Sequence, residues 1–186
     1  NINSLTRVKY CLFCIEASFR HGNDLLLKSY HLRIFFVTNC SFICNLKNFR
    51  RLPWRGNKKD PNYPYKILVS EFMLQQTGVK TVIPYFENFI AKWPDISSLA
   101  KASENEILKY WQGLGYYSRA KNLKRSAKII FKNYDRRLPN SMEDLKKLPG
   151  IGDYTASAIS AIVFNKPIIP LDGNVERVLK RLLNLK

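Results

Sequence analysis

The passage that most limits the fold is Leu148-Pro149-Gly150-Ile151-Gly152, which lies between two short runs of helical periodicity, Ser141 to Leu148 and Tyr154 to Phe164. Proline fixes the exit of the first helix and the two glycines open the way to the second, a hairpin signature. Lacking Cβ atoms, Gly150 and Gly152 are free to take positive φ and to let a phosphate approach the backbone N–H groups, while the following helix offers its positive N-terminal end. Such a loop grips a nucleic-acid backbone without reading bases. The bland alternative is an ordinary tight corner between two helices, and the rest of the chain has to decide.

From Leu52 onward apolar positions repeat at helical spacing, punctuated by Gly, Pro and Ser, so an all-α fold is expected. The spacing predicts a helix over Val79 to Trp93, with Val79, Val82, Ile83, Phe86, Ile90 and Trp93 on one face and Pro84 tolerated near its start. Ser103 and Glu106 form a capping box before a helix that ends at Gly113, and Gly113-Leu114-Gly115 makes a turn. The next helix, about Ser118 to Asn133, sorts Ala120, Leu123, Ala127 and Ile130 to a core side and Lys121, Lys124, Arg125 and Lys128 to a basic side. A last helix is expected over Asn174 to Leu183. Residues 1–46 sustain no period of two or of 3.6 and are left unassigned, apart from a domain over residues 47–186.

Charge narrows the partner. Lys and Arg number 31 against 14 Asp and Glu, a net +17. Residues 51–186 hold 24 basic and 12 acidic residues, leaving +12, with the other +5 in residues 1–50. The excess is therefore spread through the chain, and the 13% aromatic and 46% hydrophobic content argues against a disordered polycation. A polyanion is the expected partner, nucleic acid rather than a membrane surface. No apolar run approaches the roughly 18 residues of a membrane span, and charges interrupt any signal-like core, so a soluble, cytoplasmic monomer is expected, associated with the nucleoid if bacterial.

Two carboxylates suit bond cleavage. Glu71 lies in the apolar run Ile67 to Leu74, where a carboxyl should resist ionisation. Asp172 in Asp172-Gly173-Asn174 is placed to cap a helix and stay anionic. A carboxyl with a raised pKa beside a permanent carboxylate is the division of labour of glycosidic-bond cleavage: a proton for the leaving group, a negative charge for the sugar cation. A buried structural salt bridge for Glu71 and simple capping for Asp172 are the plainer roles. Leu114, Tyr116 and Tyr117 crown the glycine turn, where they could wedge into a base stack, although such residues are more often core. The basic side at Lys121, Lys124, Arg125 and Lys128 suits phosphates or is merely a solvated surface.

All four cysteines, Cys11, Cys14, Cys40 and Cys44, precede the helical region as C-x2-C and C-x3-C. That spacing could hold zinc, but ordinary reduced thiols are the simpler reading and no metal site is expected. The chain begins with Asn rather than Met and stops inside a helical pattern, so a fragment is expected.

Five motifs in order carry a resemblance: Leu52-Pro53-Trp54-Arg55, Ser70-Glu71-x-Met73-Leu74-Gln75-Gln76-Thr77, Gly113-Leu114-Gly115-Tyr116-Tyr117, Leu148-Pro149-Gly150-Ile151-Gly152 and Leu171-Asp172-Gly173-Asn174-Val175. From about Phe49 to Leu185 the chain resembles the adenine DNA glycosylases, helix-hairpin-helix enzymes of the endonuclease III superfamily. The resemblance implies that this fold is present but incomplete at its C-terminal end, and that adenine mispaired with guanine or 8-oxoguanine in double-stranded DNA is the target. It implies that Glu71 protonates the adenine, Asp172 stabilises the sugar cation, Tyr154 and Asn174 line the pocket, and Arg55 is a further active-site residue. Gln76 and Thr77, with Gln75 beside them, would contact DNA at the base opposite the extruded adenine; Leu114 and Tyr116 would fill or pry the gap; Leu148, Gly150 and Gly152 would form the hairpin.

The endonuclease III type carries a Lys nucleophile two residues after the second hairpin glycine, where this chain has Tyr154. A phenol cannot form the imine that drives strand nicking, so a monofunctional glycosylase is expected rather than a pyrimidine-directed lyase. The family's [4Fe-4S] cluster is held by cysteines of a later region, beyond residue 186 here, and the four present have the wrong place and spacing; no cofactor is expected in this chain. Residues 1–46 do not resemble the family's N-terminal helices, and Gly56 to Asn62 is slightly longer than usual. A truncated, inactive DNA-binding remnant is the alternative reading.

Overall fold

A computed structural model describes residues 51–183, and these are helical apart from turns and loops. After a 3-10 turn at Pro53–Arg55 come α1 (Tyr63–Leu74), α2 (Val79–Lys92), α3 (Ile96–Lys101), α4 (Glu104–Trp111), α5 (Ser118–Asn133), α6 (Met142–Lys146), α7 (Asp153–Val163) and α8 (Gly173–Leu183). The chain divides into two compact units, residues 51–170 and a second that includes residues 171–183. The break at 170/171 falls inside the single 47–186 domain expected from the sequence. The four cysteines and the unassigned segment 1–46 lie outside the described residues. No helix among the described residues is long and apolar enough to cross a membrane.

In the 51–170 unit α1 is the central element, touching α2, α5, α7 and the 3-10 turn. Its side chains are apolar almost all round, which is the pattern of a helix enclosed by others. Tyr63, Tyr65, Ile67, Leu68, Val69, Ser70, Phe72 and Met73 are all buried, each large side chain contributing about 1.5–3 kcal/mol. The helix carries two charges. Lys66 pairs with Asp60 at 2.6 Å; the other is Glu71.

The aromatic core is built on α2. Phe89 meets Trp93 and Trp111 with ring centroids 4.7 and 6.1 Å apart, and Trp54 stands edge-on to Phe86 at 5.2 Å. The sequence-derived face omitted Phe89, which is fully buried; it lies three residues past Phe86 and so on the same stripe. Pro84 sits within α2 without ending it, on the exposed side of the helix.

Caps set the boundaries. Ser103 and Glu106 form the expected capping box on α4, and Asp95 with Ser98 forms another on α3. Helix α5 spans the expected residues, and Ala120, Leu123, Ala127 and Ile130 are fully buried. Lys121, Arg125 and Lys128 are exposed, but Lys124 is not. It is 6% exposed and its ammonium donates to the Ala102 carbonyl. Lys124 follows Ala120 by four residues and precedes Ala127 by three, which puts it on the core stripe facing α3 rather than on the basic side.

Candidate active site

Glu71 lies on the last turns of α1, flanked by buried Ser70, Phe72 and Met73, and is itself partly buried. Desolvation pushes its carboxyl up to about 7, against the opposing pull of the Arg55 guanidinium. Arg55 owes its place to the 3-10 turn: Trp54 is buried against Phe86, Arg55 N–H donates to the Leu52 carbonyl at 2.9 Å, and the side chain is left exposed on the side of α1. The structure therefore brings two of the predicted residues together. A carboxyl poised near neutrality can hold a proton and release it, the requirement for a general acid.

The same helix ends at the hairpin. Gln75 caps α1, and its Nε2 donates to the Gly150 carbonyl at 3.1 Å and to Thr155 Oγ1 at 3.5 Å. Gln75 is thus an internal brace, with its amide turned to the hairpin. The exposed residue is Gln76, held at φ +56°, and Thr77 folds its hydroxyl back onto the Gln75 carbonyl at 3.4 Å.

Leu148 to Ile151 is a type II turn: Pro149 and Gly150 occupy the central positions, Gly150 has φ +82°, and Ile151 N–H donates to the Leu148 carbonyl at 3.1 Å. A Cβ on Gly150 would lie 2.8 Å from Phe72 Cε1 and 2.9 Å from Asn122 Cβ. Gly152 differs from expectation. Its φ is −90°, it has open space where a Cβ would go, and as the N-cap of α7 it offers the first-turn amides no side chain of its own. Ser126 Oγ donates to the Pro149 carbonyl at 2.9 Å. Two successive loop carbonyls are therefore claimed from inside the protein. Leu148, placed among the interface residues on sequence, is buried and anchors the turn from below.

Tyr154, at 47% exposure, lies in the first turn of α7; Asp153 beside it pairs with Lys146 at 2.6 Å. Tyr116 and Tyr117 are exposed at the glycine turn, with Tyr116 at φ +47°. Leu114, to which the family resemblance gave a part in filling the gap, takes the core place that such residues more often have: it is 5% exposed and packs in the core. Gly113 has φ +97°, and a Cβ there would lie 2.3 Å from the Tyr85 hydroxyl. With the turn seated against α2, the side chain at 114 points inward. Of the basic side, Lys121 pairs with Glu104 at 3.5 Å, while Arg125 and Lys128 are exposed.

Sequence reasoning missed Arg119. Its Nη1 donates to the carbonyls of Phe72 (3.3 Å), Met73 (2.7 Å) and Gln75, and its Nη2 to those of Leu114 and Gly115, both at 3.1 Å. The guanidinium also lies over the rings of Trp111 and Tyr116, 5.6 and 5.4 Å from their centroids. The available signal was positional: residue 119 falls four before Leu123, on the core stripe of α5.

In the second unit Asp172 does what its position predicts. Its Oδ1 accepts from Val175 N–H at 2.7 Å and its carbonyl from Glu176 N–H at 2.9 Å. Asn174 accepts from Arg177 at 2.8 Å through its side-chain oxygen. Residues 51–183 contain no cysteine, and among the described residues no group of three or more His, Cys, Asp or Glu is placed to hold a metal; this region supplies no thiolates for a cluster. A groove of about 550 Å³ lined by Asn62, Tyr65, Asp95 and Arg137 contains none of the candidate residues.

The model of the HhH-GPD superfamily of base excision DNA repair proteins matches residues 69–186. An adenine DNA glycosylase of Buchnera aphidicola (subspecies Schizaphis graminum) is 48% identical over 132 residues, covering 71% of this chain and 37% of that relative. The chain thus spans well under half of that protein's length. Among solved structures, a thermostable thymine-DNA glycosylase superposes with TM-score 0.71 at 29% identity, covering 83% of this chain and 71% of that one. An endonuclease III trapped as a covalent intermediate with DNA gives TM-score 0.62 at 25% identity, covering 66% of this chain and 58% of the other.

Proposed function

We propose, from the premise that this chain belongs to the HhH-GPD superfamily of base excision DNA repair proteins, that it is the catalytic part of an adenine DNA glycosylase. It hydrolyses the N-glycosidic bond of adenine paired with guanine or 8-oxoguanine in double-stranded DNA and leaves an abasic site. The observation that carries this reading is Glu71: a carboxyl pushed up to about 7 by burial, with Arg55 beside it, is a proton donor at neutral pH. Glu71 protonates the departing adenine, and the family resemblance alone gives Asp172 the part of the anion for the oxocarbenium-like sugar. The target base leaves the stack to reach Glu71. The hairpin holds the backbone through the first-turn amides of α7, Gln76 and Thr77 meet the opposite base, and Tyr116 occupies the vacated space. Tyr154 and Asn174 are carried over as pocket residues on the family resemblance alone. With a phenol at 154, no imine forms and the strand is not nicked.

The test is to incubate excess chain with a duplex carrying adenine opposite 8-oxoguanine, cleave abasic sites with alkali, and run Glu71→Gln in parallel. Product from the unmodified chain only is the expected result; equal product from both overturns the role of Glu71. A second reading, a module that binds duplex DNA without excision, needs the braced hairpin turn alone. Binding without product identifies it. A borohydride-trapped adduct would instead indicate a lyase.

A further inference from the structure

Arg119 joins two segments that are distant in sequence. One half of its guanidinium takes the last carbonyls of α1, those of Phe72, Met73 and Gln75; the other takes the carbonyls of Leu114 and Gly115 in the glycine turn. The α1 carbonyls are acceptors that a helix end leaves without intrahelical partners. Trp111 Nε1 reinforces the turn by donating to the Gly115 carbonyl at 3.1 Å. Tyr116, 61% exposed, lies with its ring against the same guanidinium. A planar group with fixed donor directions couples two carbonyl sets in a way that a single ammonium cannot.

We propose that Arg119 is a positioning residue which fixes the Gln75–Thr77 segment relative to Tyr116, so that recognition of the base opposite the extruded adenine and insertion into the stack occur in register. The proposal rests on the glycosylase reading of the preceding subsection. Arg119 touches no reacting atom; it sets where two DNA-contacting segments stand. Its loss therefore affects discrimination between opposite bases beyond any effect on folding.

The experiment measures single-turnover excision of adenine opposite 8-oxoguanine, guanine and thymine by the chain and by Arg119→Lys, with the folded fraction of each followed by circular dichroism. Arg119→Lys is expected to narrow the preference for 8-oxoguanine over thymine by about ten- to a hundredfold, after correction for folded fraction. Loss in proportion to the folded fraction, with the preference intact, overturns the proposal. Should Arg119→Lys not fold, Gly115→Ala takes its place. Gly115 has φ +74° with open space around it, so alanine there strains the turn and moves its carbonyls off the guanidinium without altering Gln75, Gln76 or Thr77. A narrowed preference supports the coupling and an unchanged one overturns it. An unmodified chain that excises nothing overturns the glycosylase reading and the coupling with it; an active chain with indifferent variants overturns the coupling alone.

Discussion

Gln75 donates through Nε2 to the carbonyl of Gly150, 3.1 Å away across 75 residues of sequence. The bond ties the end of the helix bearing Glu71 to the turn that precedes α7. With Ser126 on the Pro149 carbonyl, it leaves that turn little freedom to rotate its peptides.

Replacing Gln75 by Leu removes the donor and leaves the Gly150 carbonyl unpaired. A cost of about 1 kcal/mol is expected, seen in thermal unfolding as a midpoint lowered by about 4 °C. An unchanged midpoint would show that water replaces the bond.

The two hairpin glycines should behave differently. Gly150→Ala meets both a positive φ and the close approach of Phe72 and Asn122, and is expected to destabilise by about 2 kcal/mol or more. Gly152→Ala has neither obstacle, so its stability should stay within about 0.5 kcal/mol while duplex affinity falls because the methyl group stands where a phosphate would approach. Denaturant titration and fluorescence anisotropy separate the two; equal stability losses would contradict the geometry.

The raised Glu71 carboxyl makes stability depend on pH in a definite direction. Between the ordinary value of 4.5 and about 7 the folded chain holds a proton that the unfolded chain has lost. Stability is therefore full below that window and declines as pH rises through it, by at most about 3 kcal/mol from this group. Glu71→Gln, which cannot ionise, should flatten that part of the profile. On the proposed role of Glu71 as proton donor, excision should fall above the same pH. A wild-type profile matching that of Glu71→Gln would remove the basis for a poised acid.

Lys124 and Lys128 differ by one helical turn and should differ in their effect on DNA binding. Lys128→Met removes an exposed charge from α5 and is expected to reduce the slope of log affinity against log salt by about 1 if it meets a phosphate. Lys124→Met keeps an apolar stem in the contact with α3 and should leave the slope unchanged. The reverse pattern would place Lys124 outside the core.

Amphipathic helices with capping residues were legible in the sequence: α5 begins and ends where its periodicity does, and α4 starts at its Ser103–Glu106 box. Helix α3 has six residues, too few to show a period, and depends on its Asp95 cap. Glu71 was legible because an apolar run offers a carboxyl nothing to ionise against. The nearness of Arg55 came from the motif resemblance, since no local pattern predicts which helix a 3-10 turn packs on. Leu114 and Lys124 were misplaced for one reason. Flanking glycines and a net positive charge suggest exposure, but the direction of a side chain is set by the helix against which its segment closes. The place of Arg119 on the core stripe was legible from its spacing to Leu123, but its partners were not, because they are main-chain carbonyls, the acceptors that every residue type carries.

None of those partners is a carboxylate. Carbonyl dipoles orient the guanidinium without cancelling its charge, so a full positive charge stands inside the fold beneath Tyr116. Its charge adds at the glycine turn to that of the lysines of α5, so the surface a polyanion meets there is more basic than its exposed side chains alone would make it.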